Sequence, residues 1–171
     1  MACLYIFCGF PFAGKTTLAK ALEHRFNFTH IDLDQINSMF GVGFHGNPIS
    51  PAEWNRTYAE SYRQLGEALH AGRSVVYDAT NFTKAQRDSL RAIADTHGIS
   101  SQVIYVAVSE SEARQQWLRN RSTHERYDVR DEDFENVATH FEPPTEEERV
   151  ICYHPSQPFD EWIQHTFFQR G

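Results

Sequence analysis

Nine consecutive residues, Gly9, Phe10, Pro11, Phe12, Ala13, Gly14, Lys15, Thr16 and Thr17, constrain this chain more than any other stretch. They spell G-x-x-x-x-G-K-T followed by a second threonine. Before them runs Cys3-Leu4-Tyr5-Ile6-Phe7-Cys8, apolar throughout as a buried strand is; after them Leu18-Ala19-Lys20-Ala21-Leu22 reads as a helix. Strand, glycine pattern and helix in that order make a phosphate-binding loop, the context that gives the pattern mechanical meaning. The glycines let backbone N–H groups turn inward at φ values other residues resist. With the positive end of the helix, those N–H groups form an anion cradle. Lys15 is expected to reach the outer phosphates as a point charge, and the Thr16 hydroxyl to ligate Mg²⁺.

Downstream, strand and helix signals alternate without a break. Phe28–Asp34 alternates into a short strand ending in two carboxylates, Asp32 and Asp34, two residues apart and so on one face. A glycine- and proline-rich loop, Gly41–Pro51, follows. Ser50, Pro51 and Glu53 then form a capping box for a helix that carries Trp54, Tyr58, Tyr62, Leu65 and Leu69 in one stripe and stops at Gly72. That stripe reads as core packing in preference to a ligand box. Arg73–Asp78 is a third strand, again ending in a carboxylate. Thr83 with Gln86 caps a helix to His97-Gly98, Ser101–Val108 is a strand, and Ser109 with Glu112 caps the next helix. Asp133–Phe141 has helical periodicity, Arg149–Tyr153 is a last short strand, and Phe159–Phe168 a final helix. The alternation predicts an α/β chain with a parallel sheet covered on both faces.

The chemistry is expected at the strand ends, where open α/β sheets bind ligands. Asp34 is the expected general base, although a helix N-cap also fits it because Gln35-Ile36-Asn37 follows. Asp32 competes for that role or for a place near the metal. Asp78 suits metal-bound water or the acceptor, or simply a polar strand terminus. Arg114, Arg119, Arg121, Arg126 and Arg130 crowd seventeen positions with few carboxylates at helical spacing. They are read as a mobile phosphate lid in preference to a solvated face.

Taken together, these residues resemble the small P-loop kinases related to polynucleotide 5′-kinases, zeta-type toxins and chloramphenicol phosphotransferase. The resemblance covers roughly residues 3–150. It rests on Gly9–Thr17, Asp34, Asp78-Ala79-Thr80-Asn81 with Arg87 downstream, Arg119-Asn120-Arg121, and Phe141-Glu142-Pro143. It implies a three-layer P-loop NTPase fold with strand order 2-3-1-4-5, ATP as donor and a hydroxyl acceptor. It also implies a base at Asp34 and lid arginines among Arg119, Arg121 and Arg126. The acceptor pocket is expected to draw on Asp32, Asn37, Asp78 and Asn81, with Thr16 and Asp32 nearest the metal. Polynucleotide kinases of this group carry an arginine three residues after the catalytic aspartate, and zeta-type toxins usually do too; here that position is Asn37. The departure favours a small-molecule hydroxyl.

Composition narrows the classes further. The 171 residues suit one domain, 1–171, with a lid at about 119–133 and an acceptor loop and helix at about 41–71. A formal net charge of −7 argues against a long nucleic acid as main partner. No membrane span or signal segment is evident, and the three cysteines, Cys3, Cys8 and Cys152, fit no metal spacing, so a cytoplasmic setting is expected for a monomer or homodimer. The nine histidines lie scattered and read as surface or satisfied polar positions. Two alternatives stay open: a polynucleotide 5′-hydroxyl kinase, and an ATP-binding regulator that transfers nothing. All three require the first loop to grip a nucleotide. Calorimetric titration with Mg·ATP is expected to saturate below millimolar ligand; no heat with any Mg-nucleoside triphosphate would remove the common premise.

Overall fold

Strand β1 (Cys3–Cys8) sets the layering, because all six of its side chains are buried. Cys3, Tyr5 and Phe7 enter one apolar cluster, and Leu4, Ile6 and Cys8 enter another. A strand whose alternate residues feed two separate cores must be central in a sheet covered on both sides. The computed structural model, which describes residues 1–43, 47–125 and 128–168, has that form. The sheet contains β1, β2 (Thr29–Asp32), β3 (Val75–Asp78), β4 (Ser100–Val106) and β5 (Val150–Tyr153), ordered β2-β3-β1-β4-β5. Every pairing is parallel, with Ile6 beside Tyr77 and Val103, and Asp32 beside Asp78. This is the expected three-layer P-loop NTPase fold and strand order.

Helices α1 (Lys15–Phe26), α5 (Glu110–Thr123), α6 (Asp131–His140) and α7 (Phe159–Ile163) close the first face through Leu18, Leu22, Trp117, Phe134 and Trp162. Helices α2 (Leu33–Phe40), α3 (Pro51–His70) and α4 (Lys84–Thr96) close the second through Ile36, Leu65, Leu69 and Leu90. All three expected capping boxes form, at Ser50, Thr83 and Ser109. The tail is tied down by aromatic packing. Phe167 lies 4.9 Å from the Phe26 ring and 5.6 Å from Tyr5. Cys3 and Cys8 are buried, as read from the sequence, while Cys152 is exposed; all three are free thiols. No described helix is long and apolar enough to cross a membrane.

Three expectations are corrected here. Strand β2 stops at Asp32, two residues early, because the Asp32 carboxylate accepts from the backbone N–H of Asp34 at 2.8 Å and caps α2. Asp34 is therefore a first-turn helix residue, neither the end of a strand nor the cap. Residues 114–123 belong to a regular helix, α5. Asn81, expected at the acceptor, is buried with φ 42°, and its amide donates to the Phe7 carbonyl at 2.7 Å. It holds the end of β1 instead.

Arg87 completes that fastening. It is fully buried and donates to the Asn81 carbonyl at 2.9 Å, while Nε and Nη2 meet the two Glu148 oxygens at 2.9 and 3.1 Å. Glu148 also accepts from Thr145 N–H at 2.9 Å and pairs with Arg91 at 2.8 Å. Burial alone pushes the Glu148 carboxyl upward, but these donors outweigh it and hold the group below its ordinary value. Its contribution is thus complete above the usual carboxylate range and is lost as pH falls through the depressed value. Glu148→Gln leaves a buried guanidinium without its counter-charge and is expected to cost about 3–5 kcal/mol near neutral pH. Denaturant unfolding should show the deficit shrinking below pH 4; parental stability at pH 7 would contradict the argument.

Candidate active site

The loop from Gly9 to Gly14 is shaped by close approaches that only glycine permits. A Cβ on Gly9 would stand 2.9 Å from the Val106 carbonyl oxygen, and Gly9 N–H donates to the Thr80 carbonyl at 3.1 Å. Gly14, at φ 98°, turns the chain into α1 as its N-cap. Phe12 takes φ 62°, a left-handed conformation that costs a non-glycine residue about 1–2 kcal/mol. The Lys15 side chain is buried, and its ammonium donates to the carbonyls of Gly9 (3.0 Å) and Phe10 (2.6 Å), folding back over the loop.

This loop forms one wall of a cavity of about 800 Å³ at the C-terminal edge of the sheet. Pro11, Phe12, Gly14, Lys15, Thr16 and Thr17 line it, and so do Asp32, Asp34 and Asp78. The three carboxylates come together because β2 and β3 run in register to Asp32 and Asp78, and α2 then lifts Asp34 over that edge. Asp34 is exposed on its cavity side, while protein atoms crowd its other sides and weaken its hydration. That confinement comes first, the negative charges of Asp32 and Asp78 add to it, and nearby Lys15 only partly offsets them. The Asp34 carboxyl is pushed up to about 6. At neutral pH it is mostly ionised and basic enough to take a proton, the condition a general base must meet.

His30, read from the sequence as one of many unremarkable histidines, supports this edge. Its Nε2 lies 3.1 Å from Asp78 Oδ2, and its Nδ1 3.4 Å from Glu23. Burial depresses the imidazole, but the hydrogen bond to Asp78 and the charges of Asp78, Asp32 and Glu23 more than compensate, so its pKa is raised. Ligand atoms of His30, Asp32 and Asp78 all lie within 4.8 Å of one another. With His30 serving as a donor, the oxygens of Asp32, Asp78 and Thr16 remain, a hard donor set of the kind Mg²⁺ prefers. The only sequence signal for His30 was its position two residues before Asp32 on the same strand face.

Other expected residues lie elsewhere. Asn37 is buried, with its side-chain oxygen accepting from Thr57 Oγ1 at 2.6 Å, and does not line the cavity. It joins α2 to α3. Arg119 is exposed on α5 and away from the cavity. Arg121 stacks 4.2 Å above the Trp117 ring and pairs with Asp128 (3.3 Å) and Asp131. Arg114 pairs with Glu110 and Glu135. Few carboxylates are evident within the arginine segment in sequence; Glu110 on α5, Asp128, and Asp131, Asp133 and Glu135 of α6 supply the partners. Arg126 lies outside the described residues, as do residues 44–46 of the expected loop. Arg130 does line the cavity, its guanidinium held by Asp133 at 2.9 Å. Trp54 and Tyr58 line it as well; Leu65 and Leu69 of the α3 stripe are buried in the core, Tyr58 and Tyr62 pack against it, and Trp54 stands outside that cluster.

Comparison with known proteins gives the chain's family and its fold relatives. The sequence pattern of the AAA domain family matches residues 4–144, and the chain belongs to that family. A curated relative, protein KTI12 homolog of Arabidopsis thaliana, is 28% identical over 151 residues, 85% of this chain and 49% of its own. The chain thus spans about half the length of that relative. Among solved structures, Kti12 of Chaetomium thermophilum in complex with ADP-AlF3 superposes with a TM-score of 0.68 at 18% identity, covering 94% of both chains. The APS kinase CysC of Mycobacterium tuberculosis, in complex with AMPPNP and APS, superposes at 0.65 with 15% identity, over 96% of this chain and 94% of its own. These likenesses show a shared P-loop fold.

The raised Asp34 pKa has a consequence for stability that needs no substrate. A carboxyl that ionises less readily when folded contributes stability at low pH and forfeits it as pH rises through about 6. Asn cannot ionise, so Asp34→Asn is expected to melt higher than the parent at pH 8 and almost equally at pH 4. The open face screens the effect, which limits the gain to about 2–4 °C. Thermal melts without added metal at both pH values test this; a lower melting point at pH 8 would contradict it.

Proposed function

We propose that this AAA-domain protein is an ATP- and Mg²⁺-dependent kinase that phosphorylates a hydroxyl group of a small molecule. The observation that carries the proposal is the shared cavity: a phosphate-gripping loop and a carboxylate with a pKa near 6 face the same 800 Å³ space. Such a volume suits a nucleotide's phosphates and a second molecule together. In this reading backbone N–H groups at the Gly14–Thr17 end of the loop and the Lys15 ammonium hold the β- and γ-phosphates. Asp34 takes the acceptor's proton as its oxygen attacks the γ-phosphorus, and the bond to the β-phosphate breaks to release ADP. Thr16, Asp32 and Asp78 would hold Mg²⁺, which neutralises charge on the phosphates when bound. Asp78 is kept in place by His30, and Arg130 is the described guanidinium best placed to meet charge from the lid side.

The alternatives fare unequally. A polynucleotide end as acceptor is disfavoured by the net charge and by Asn37, which is buried against Thr57 where a phosphate-holding arginine would stand. The finer kinship with polynucleotide 5′-kinases, zeta-type toxins and chloramphenicol phosphotransferase rests on D-x-T-N with Arg87, R-N-R and F-E-P. Asn81, Arg87 and Glu142 of these act in the frame. The likeness to a KTI12 homolog supports a second reading, a nucleotide-binding regulator without a small-molecule acceptor. Free buried Cys3 and Cys8 suit a reducing compartment, so we place the protein in the cytoplasm.

Screening metabolite extracts for γ-phosphate transfer by mass spectrometry tests the kinase directly. Lys15→Ala is expected to abolish transfer. Asp34→Asn should lower kcat by ~10²–10⁴ with ATP affinity retained. Parental turnover by Asp34→Asn on the true acceptor would refute the base assignment, and Mg·ATP binding with no phosphorylated product from any extract would favour the regulator.

A further inference from the structure

We infer that the acceptor side of the cavity is built for an uncharged alcohol carrying a planar ring, such as a nucleoside or an aromatic alcohol. The inference rests on the kinase reading for the word acceptor, but the site it describes is independent of transfer. Its physical basis is the first half of α3. Ser50 and Pro51 start that helix beside the cavity, and Trp54 and Tyr58, one turn apart, both line it. Their ring centroids are 5.8 Å apart with planes 34° apart, and Tyr62 continues the row 6.0 Å further on. Trp54, Tyr58 and Tyr62 are each only partly buried, unlike Leu65 and Leu69 on the same stripe, which are sealed in the core.

Two features select the ligand. First, Trp54 and Tyr58 offer adjacent rings from one face of one helix, a platform that suits a flat π-system. Phe12 and Phe82 also line the cavity, from the phosphate loop and from the stretch before α4, so choline is kept in the test as the probe for a cage of rings around a cation. Second, charge is distributed unevenly around the cavity. Its lining cations among the described residues are Lys15 and Lys20 on the phosphate-loop side and Arg130 on the lid side, the last already paired with Asp133. Arg56, the cation of α3 nearest in sequence to the platform, is absent from the lining and lies 3.8 Å above the Phe40 ring. Around the platform stand Ile49, Leu33, the polar Asn47 and the carboxylate of Asp34. An anionic acceptor would meet Asp34 without a described cation of its own. A neutral ring stacked on Trp54 and Tyr58 meets no such opposition and leaves its hydroxyl free to face Asp34.

The test is binding to the full chain with Mg·AMPPNP present, followed by calorimetry and by tryptophan fluorescence. Trp54 is the partly exposed tryptophan, since Trp117 and Trp162 are both 3% exposed. The probes are adenosine, uridine and 4-hydroxybenzyl alcohol, against glucose (neutral, not planar), gluconate (anionic) and choline (cationic). At least one ring-bearing probe is expected to saturate and to bind more tightly than all three controls. Trp54→Leu and Tyr58→Leu should weaken it about tenfold each, while Trp54→Phe retains binding. Circular dichroism and melting temperature establish that the variants fold. The inference is overturned if no ring-bearing probe saturates, if a control binds more tightly, or if both leucine variants bind like the parent. Ring binding without phosphate transfer would uphold the platform and refute the kinase; transfer to a non-aromatic acceptor, unaffected by Trp54→Leu, would do the reverse.

Discussion

The contact on which the rest of the molecule depends is the buried pairing of Arg87 with Glu148. Arg87 has no exposed surface, so its charge is tolerable only with every donor occupied. Its occupants lie far apart in sequence: the Asn81 carbonyl after β3, and a glutamate in the 3₁₀ turn Glu146–Glu148 before β5. Asn81 in turn grips the Phe7 carbonyl near the end of β1, one peptide before the nucleotide loop opens. Glu142 joins the same fastening, its N–H donating to the Phe82 carbonyl at 2.8 Å while its carboxylate accepts from Lys84 N–H. The loop is thus held from the sheet side by the side chains of Asn81, Arg87, Glu142 and Glu148, which stand outside the cavity lining.

That arrangement explains which parts of the chain were legible in its sequence. Local rules carried far: the strand–loop–helix context of Gly9–Thr17, the capping boxes at Ser50, Thr83 and Ser109, and the alternation that implies a parallel sheet all appear as expected. Their causes lie within a few residues of one another. What was misread depended on distant partners. Asn81 lies beside Asp78 in sequence, but its side chain turns inward to β1. The helix cap belongs to Asp32 and not to Asp34, because a carboxylate two residues before the end of an apparent strand was free to cap a helix there. Arg114, Arg121 and Arg130 looked short of partners until Glu135, Asp131 and Asp133 of α6 joined Glu110 and Asp128 beside them.

The electrostatics of the cavity follow from the same geometry. Register between β2 and β3 forces Asp32 and Asp78 side by side, and the first turn of α2 adds Asp34. Three carboxylates at one edge repel one another, and the protein answers with Lys15 on one side and His30 beneath. Asp34, whose carboxylate has no hydrogen-bond donor among the described residues, responds with a raised affinity for protons. Its basicity comes first from weakened hydration at the cavity wall and second from the crowding of like charges.

Helix α3 divides its labour along its length. Leu65, Ala68 and Leu69 anchor one end in the core, Tyr58 and Tyr62 pack against it, and Trp54 at the other end lines the cavity outside that cluster. Mutational drift at Trp54 therefore meets weaker opposition from folding than drift at Leu65 or Leu69, and it would leave the phosphate loop intact. A lineage could diversify its chemistry by rewriting a single helical turn.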